Sequence, residues 1–277
     1  MFHVEKQILK LRGIKNTYTF FHISDAHIVY ARDTDDEADK QLAAEHTDKW
    51  NIADIPPIEA FYQALALVKA QRNDGLFITG DCVDYIHPSC IEHLKETLTA
   101  TGLELFYVYG NHEGGSYVET VPDTHVYYPY YKSLMRGTPA CWVKDYGEML
   151  IVGIDDSDRE ITHEQYDFLE SQIARNLPII LLLHIPLYTE SLAPSVREKW
   201  GRDGVQYFTL GSENDTPLTQ AFCKRIQAAD SNVQAVFAGH THVSHTGEFA
   251  EGRLQFVAAP TFEKYIRKTV IEPLTER

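Results

Sequence analysis

The sequence contains little that could stabilise it apart from a packed core. Its four cysteines form no C-x-x-C pair, so neither a zinc knuckle nor a disulfide framework is predicted. The N-terminal segment lacks the apolar stretch of a signal peptide, and no apolar run elsewhere approaches transmembrane length. These absences predict a cytoplasmic protein with no membrane segment.

Basic residues are also scarce. Lysine and arginine total 25 against 40 acidic residues, the formal net charge is −15, and no basic block occurs. Such a balance disfavours nucleic acid and anionic membranes as partners, because both are bound through broad positive surfaces. A local site for a small anion would therefore need positive charge from another source, such as a bound metal.

The composition is otherwise that of an ordinary globular protein. Hydrophobic residues make up 44% and charged residues 23% of the 277 positions, which is enough for a packed core. Large layered or barrel folds of this length often form one unit. We therefore expect a single domain over residues 1–277.

Short apolar runs rich in β-branched and aromatic residues alternate with segments of helical periodicity, at least in the first half of the chain. The runs predict strands, and the segments predict helices at 58–72, 91–100, 163–175 and 217–228. Three polar stretches predict loops: 30–57, which includes the acidic residues 33–39, then 113–129 and 187–217. This alternation is typical of an α/β fold with helices over the sheets.

Five of the predicted strands end in polar residues that suit divalent metals. The endings are Asp25-Ala26-His27, Gly80-Asp81, Gly110-Asn111-His112-Glu113, His184 and Gly239-His240-Thr241-His242. Residues two apart on an extended segment point to one face, and glycines before several of these residues permit tight turns. Because ligands of open α/β sheets bind at the carboxyl ends of strands, we expect these side chains to converge.

The order of these motifs, D-x-H, G-D-x-x-D, G-N-H-E, H and G-H-x-H, resembles that of the calcineurin-like metallophosphoesterases. The match extends from Asp25 to His242, and it is specific for fold and metal site but not for substrate. It implies a four-layer αββα sandwich with two mixed β-sheets. It also implies two divalent metal ions at the sheet edges, and ligands of this kind suit Mn, Fe, Zn, Co or Ni.

Carried over to this sequence, the resemblance assigns the metal ligands, with Asp81 as the bridge. One metal would be held by Asp25, His27, Asp81 and His242, and the other by Asp81, Asn111, His184 and His240. The two ions would activate water against a phosphate ester of a small molecule. Both diesters and monoesters are candidates, nucleotides among them. The resemblance thus implies a metal-dependent phosphoric ester hydrolase.

His112 and Asp84 are the implied catalytic residues. His112 would stabilise the phosphate or protonate the leaving alkoxide, and Asp84 would hydrogen-bond to His112 and keep it oriented. Outside this motif context, His112 would more simply cap the loop after Asn111, and Asp84 would be a solvated turn residue. Glu113 would support the loop.

At two positions the sequence departs from the motifs of particular subfamilies, and these differences narrow the set of subfamilies that it resembles. Purple acid phosphatases carry a tyrosine at the position of Asp84, whereas here Tyr85 comes one residue later. Phosphoprotein phosphatases carry, at the position of Tyr85, an arginine that grips the substrate phosphate. The motifs are closer to those of the class III cyclic-nucleotide phosphodiesterases and of broad bacterial phosphoesterases.

Substrate selectivity would come from residues beside the motifs and from the loops. Tyr85 and His87 would stack a base or an aromatic leaving group, or else pack in the core. Arg197 and Arg202, in the loop 187–217 together with Lys199, would reach a distal phosphate or else face solvent. Asn111 would also contact the substrate.

Two alternative functions stay open at this point. A nuclease is compatible with the family, although the acidic balance disfavours it. A catalytically silent metal-binding scaffold is the other alternative, but such proteins usually lose ligands or the catalytic histidine, and this sequence retains both. The oligomeric state is left open.

Overall fold

The computed structural model describes residues 1–114 and 127–274 and contains two mixed β-sheets. The first sheet has the strand order β1-β11-β2-β3-β4, and only β11 and β2 pair antiparallel within it. Its strands are β1 (His3–Leu11), β2 (Tyr18–Ile23), β3 (Gly75–Thr79), β4 (Leu105–Val108) and β11 (Tyr265–Pro273). The sheet therefore brings the first and last described strands together.

The second sheet has the order β5-β6-β7-β8-β10-β9, with antiparallel pairs at both edges and parallel pairs in the centre. Its strands are β5 (Cys141–Asp145), β6 (Leu150–Ile154), β7 (Ile179–Leu182), β8 (Val233–Ala238), β9 (His245–Ala250) and β10 (Arg253–Val257). Parallel strands buried on both faces are continuous apolar runs, and β3, β6 and β7 are fully buried.

Alternation of side chains along the strands produces the layers. On β3, Phe77 points into the core between the two sheets, whereas Leu76 and Ile78 point outward to a second core. On β7, Ile180 faces the inter-sheet core and Leu181 the outer one. Because strand side chains alternate with a period of two, each sheet packs on helices with one face and on the other sheet with the other.

The outer layers are helical. Helix α2 (Pro57–Lys69) and helix α3 (Pro88–Thr101) cover the first sheet, and α6 (His163–Ile173) and α9 (Pro217–Gln227) cover the second. These four helices confirm the predicted segments 58–72, 91–100, 163–175 and 217–228 to within a few residues at each end. The structure also confirms the predicted α/β sandwich with two mixed sheets.

The loop predictions for 30–57 and 187–217 were wrong, because both stretches contain helices. These are α1 (Glu37–Trp50), α7 (Ala193–Trp200) and α8 (Gly204–Phe208). Only Ala43 is buried on α1, so the helix has no apolar stripe that the sequence could reveal. In the third predicted loop, the short helices α4 (Asn111–Gly114) and α5 (Tyr128–Tyr131) flank residues 115–126, which lie outside the described part of the chain.

Strands β1 and β5 were also missed by the sequence reasoning. Strand β1 is an edge strand whose outer residues are exposed, including Ile8, so it lacks the apolar run by which the central strands were found. Within the described ranges, no helix is both long and apolar enough to cross a bilayer.

Candidate metal centre

The five polar strand endings converge where the carboxyl edges of the two sheets meet. Strands β2, β3 and β4 of the first sheet and β7 and β8 of the second contribute them. The residues brought together are Asp25, His27, Asp81, Asn111, His184, His240 and His242. All of them are buried apart from the partly exposed Asn111 and His240.

One cluster of ligand atoms is formed by Asp25, His27 and His242. The Nε2 atoms of His27 and His242 lie 3.2 Å apart, and Oδ1 of Asp25 is 3.3 Å from Nε2 of His242. Separations of about 3 Å are those of donor atoms that share one metal ion with bonds near 2.1 Å. The cluster combines nitrogen and oxygen donors from both sheets.

A second cluster is formed by Asp81, Asn111, His184 and His240. Nε2 of His184 lies at its centre, 3.2 Å from Oδ2 of Asp81 and 3.0 Å from Oδ1 of Asn111. Nδ1 of His240 is 3.1 Å from the same nitrogen. Asp81 Oδ2 is also 3.9 Å from Nε2 of His27, in the first cluster. Asp81 thus lies between the two clusters.

The hydrogen bonds around the clusters show that acceptor atoms face one another. Nδ1 of His184 lies 2.6 Å from the carbonyl oxygen of Thr79; a carbonyl only accepts, so this nitrogen carries a proton and Nε2 is the nitrogen left to bind a metal. Nδ1 of His27 likewise faces the carboxylate of Asp84 at 3.1 Å, which directs the lone pair of Nε2 inward. Converging lone pairs repel unless a cation lies among them, so the donor set fits divalent metals.

The pKa shifts distinguish His27 and His240 from His184. Burial lowers the pKa of His27 to about 4 and that of His240 to about 3, so both rings are neutral at pH 7, the form that binds metal. Burial would also lower the pKa of His184, but Asp81, Asp25 and Asp156 outweigh it and raise the value to about 10. Without metal, His184 is therefore protonated on both nitrogens at pH 7, and a bound cation would take the place of its Nε2 proton.

The backbone at these strand endings is left-handed. Asp25, His27, Asp81, His240 and His242 have φ between 41° and 63°, a region that non-glycine residues enter at an energetic cost. The expectation that D-x-H and H-x-H are extended was therefore wrong. Their side chains converge because each residue turns the chain sharply at the strand end, where local strain is retained by the surrounding fold.

A family model described as calcineurin-like phosphoesterase matches residues 18–244. The chain belongs to the calcineurin-like phosphoesterases. It is accordingly a metal-dependent phosphoric ester hydrolase, and its buried aspartate and histidine clusters fit a binuclear divalent metal site. The family expected from the order of the motifs is confirmed.

Several solved structures resemble this phosphoesterase at low identity. A dimetal phosphatase from Danio rerio has a TM-score of 0.52 and 12% identity, over 89% of this chain and 88% of that one. A protein of Thermus thermophilus has a TM-score of 0.49 and 13% identity, over 90% and 92%. For a 5′-nucleotidase from Candida albicans the values are 0.42 and 12%, over 92% and 47%. No curated protein is significantly similar in sequence.

Gly239 allows the two sheets of the phosphoesterase to approach each other at the metal centre. A Cβ atom at this position would lie 1.8 Å from Oγ of Ser24 and 2.5 Å from Oδ2 of Asp25. The backbone N–H of the next residue, His240, donates to the carboxylate of Asp25 at 3.0 Å. The missing side chain at Gly239 thus allows the end of β8 to contact the end of β2.

We expect Gly239→Ala to displace Asp25, lower the free energy of unfolding by about 1–3 kcal/mol and weaken metal binding. Urea unfolding with and without metal would measure both effects. Gly252→Ala is the control, because a Cβ there meets nothing within 4 Å and only the φ of +66° strains it. Equal behaviour of the two variants would contradict the steric argument.

Glu113 ties the ends of β3 and β4 together, as its predicted supporting role requires. Its carboxylate accepts hydrogen bonds from the backbone N–H groups of Asp81 (2.8 Å), Cys82 (2.6 Å) and Gly110 (2.8 Å) and from the hydroxyl of Tyr107 (2.8 Å). The side chain is fully buried. The carboxylate therefore fixes the backbone that carries Asp81.

Asp156 has an equivalent role at the end of β6, and the sequence reasoning missed it. Its carboxylate accepts from the backbone N–H of His184 at 2.8 Å and of Ile185 at 3.0 Å. Burial raises its pKa to about 7. The only available signal was a second aspartate after an apolar run, which is also common in ordinary turns.

His112 lies beside the metal clusters, but its contact with Asp84 differs from the expected one. Nδ1 of His112 is 2.6 Å from the backbone oxygen of Asp84 and 3.4 Å from its carboxylate. That carboxylate is held between Nδ1 of His27 and Nδ1 of His46 on α1. The backbone of Asp84 therefore orients His112, whereas its side chain orients the candidate ligand His27.

A cavity of about 280 Å³ opens onto the metal centre. Its lining includes His112 and the candidate ligands His27, Asp81, Asn111, His240 and His242, and it is completed by Lys49, Trp50, Trp200 and Phe208. These four residues come from α1, α7 and α8, the helices that the sequence reasoning took for loops. Two of the three tryptophans of the chain lie here, and that rarity was the signal that could have revealed them.

The residues proposed from the sequence for substrate binding lie elsewhere, apart from Asn111. Tyr85 is buried against His46, with ring centroids 4.9 Å apart, and His87 caps α3 and faces Asp39 at 3.3 Å. Arg197 and Arg202 line a different cavity of about 500 Å³. None of these four is among the described residues that line the metal-side cavity.

Proposed function

We propose that this phosphoesterase hydrolyses phosphodiester or phosphomonoester bonds of small molecules. The observation that carries the proposal is the pair of acceptor clusters, joined through Asp81, at the floor of a cavity that His112 also lines. A cavity of about 280 Å³ suits a ligand of modest size. We further propose that residues 1–277 form one domain, since the core between the sheets draws on both halves of the chain.

The proposed ligand sets follow the two clusters. Asp25, His27, Asp81 and His242 would hold one divalent ion, and Asp81, Asn111, His184 and His240 the other. When bound, the ions would supply an activated water and neutralise the phosphoryl oxygens. Manganese is one candidate, and the mixed nitrogen and oxygen donors suit iron, zinc, cobalt and nickel as well.

The protein groups supply orientation and a proton. His184 donates from Nδ1 to the carbonyl of Thr79 and His27 donates from Nδ1 to the carboxylate of Asp84, so that each ring directs Nε2 to its cluster. We assign to His112 either stabilisation of the phosphate or protonation of the leaving alkoxide. Its Nδ1 proton is held by the carbonyl of Asp84, so a doubly protonated ring would present its second proton, on Nε2, to the phosphate or the leaving alkoxide.

The experiment compares p-nitrophenyl phosphate, bis-p-nitrophenyl phosphate and phenyl phosphate as substrates of chelator-stripped protein reconstituted with Mn²⁺. We expect His112→Ala to lower kcat by about 10²–10⁴-fold with unchanged metal content. His163→Ala, an exposed histidine on α6, is the control and should match the wild type. A His112→Ala variant of wild-type rate would contradict the assignment.

The choice of leaving group separates the two roles of His112. Phenolate is more basic than p-nitrophenolate and depends more on a proton donor. A loss concentrated on phenyl phosphate would identify proton donation, and an equal loss on both monoesters would identify phosphate stabilisation. The ratio of monoester to diester rates in the wild type would identify the preferred bond.

The two alternative functions, a nuclease and a metal-binding scaffold, predict different experimental results. Lys49 is the only lysine or arginine among the described residues lining the cavity, so a nuclease would lack a basic groove there; salt-dependent binding of oligonucleotides would favour that function instead. A scaffold would bind metal without turnover of any ester. The retained ligand set and His112 argue against it.

A further inference from the structure

Two aromatic side chains of the cavity lining, Trp200 and Phe208, stack on each other beside the candidate metal ligands. Trp200 ends α7 and Phe208 ends α8, and their rings are stacked at 4.5 Å with an interplanar angle of 11°. The stack lies against the candidate ligands: Trp200 is 5.5 Å from the ring of His242, and Phe208 is 5.0 Å from that of His240. The rings of Trp200 and Phe208 are thus in contact range of the candidate metal ligands His242 and His240.

Trp200 is held in one orientation although it is partly open to solvent. Its Nε1 donates to the backbone oxygen of Thr241 at 2.7 Å, and its ring is fixed by the stack with Phe208. The residue is nevertheless 37% exposed, although its polar atom is already satisfied. An exposed, immobilised ring is a preorganised binding surface, because little side-chain entropy is lost when a ligand stacks on it.

Trp50 also lines the cavity and is packed differently. Its ring stacks on His27 at 4.4 Å and 17°, and Phe262 lies 4.9 Å away. The ammonium group of Lys49 lies 4.7 Å from the same ring. Trp50 therefore supports a candidate ligand and bounds the cavity, whereas Trp200 offers a ring surface to an incoming molecule.

We propose that Trp200, backed by Phe208, is the platform on which this phosphoesterase stacks a planar aromatic group of its substrate. The substrate class is then phosphate esters whose organic part carries an aromatic ring, such as a nucleobase. This inference rests on the proposed function, because it is the phosphate at the metal centre that places the ring over Trp200. It replaces Tyr85 and His87, which are packed outside the cavity, as the stacking residues.

The test uses two ligands that differ only in the aromatic ring: adenosine 5′-monophosphate and ribose 5-phosphate. Each is measured as an inhibitor of p-nitrophenyl ester turnover by the Mn²⁺-reconstituted protein, and by quenching of tryptophan fluorescence, which needs no turnover. Stacking of one base on an aromatic side chain predicts that the nucleotide binds about 10-fold or more tightly than the sugar phosphate.

The variants separate stacking from packing. Trp200→Leu should bring the two affinities within about 3-fold of each other by weakening only the nucleotide, and Trp200→Phe should restore part of the preference. Tyr207→Leu is the control, because Tyr207 is a neighbouring aromatic residue, 62% exposed, that is outside the cavity lining. It should retain the full preference.

Two outcomes would overturn the proposal: equal affinity of the wild type for both ligands, or a nucleotide preference that survives in Trp200→Leu. Absence of ester turnover with both metals bound would instead overturn the proposed function. The difference in fluorescence quenching between the wild type and Trp200→Leu would still report whether the ring is bound at Trp200, because Trp50 lines the cavity in both proteins. The two failures are therefore distinguishable.

Discussion

Replacing Asp81 by asparagine is expected to lower the rate of ester hydrolysis by more than about 100-fold and to reduce the bound metal from two ions per chain. The physical reason is the position of this side chain between the clusters. Its Oδ2 is 3.2 Å from Nε2 of His184 and 3.9 Å from Nε2 of His27, and its Oδ1 accepts from the backbone N–H of His112 at 2.9 Å.

The amide of asparagine cannot reproduce this arrangement. The only oxygen of the asparagine amide would still have to accept from the backbone N–H of His112. The amide nitrogen would then take the position of Oδ2, which faces the two metal clusters, and it has no lone pair to offer a metal. The substitution also removes the charge that offsets the repulsion between two cations. Both metal positions should therefore be weakened together.

Metal analysis and ester turnover would measure this effect, with urea unfolding as a check on folding. Asp215→Asn is a matched control, since Asp215 is a buried carboxylate that accepts from Gly211 at 2.7 Å and pairs with Arg159 at 2.7 Å, apart from the metal clusters. It should keep two metals and the wild-type rate per folded molecule. An Asp81→Asn variant that still bound two ions and turned over normally would refute the bridging assignment.

Glu113→Gln is expected to lower the free energy of unfolding of the metal-free protein by about 3–5 kcal/mol. The carboxylate accepts four hydrogen bonds of 2.6–2.8 Å, two at each oxygen. An amide nitrogen in place of either oxygen would confront donors with a donor in a fully buried site. Loss of structure at these strand endings would in turn displace Asp81.

Glu148→Gln is the control for this second prediction. Glu148 also accepts two backbone N–H bonds, from Lys15 and Asn16, and one from the hydroxyl of Tyr18, but it is at the surface, where water replaces a lost partner. Urea unfolding in the presence of a chelator should show a much smaller effect. Similar losses for Glu113→Gln and Glu148→Gln would show that burial of the first does not matter.

The strands and helices that carry apolar patterns were predictable from the sequence. Strand β3 is a fully apolar run because both of its faces are buried, and α6 begins with a Thr162 and Gln165 capping box, a local signal. Helix α1 was not predictable, because its contacts involve His46 and Trp50 rather than an apolar stripe. A pattern can reveal a helix only where burial follows the helical period.

The sequence alone determined which side chains could bind metal, through the order and spacing of Asp25, Asp81, Asn111 and the histidines after apolar runs. Tertiary structure alone decided how they meet. The left-handed backbone at these residues, the carboxylate of Glu113 behind them and the stacked rings of Trp200 and Phe208 depend on contacts between segments far apart in the chain. Such contacts leave no local periodicity, so only the packed fold reveals them.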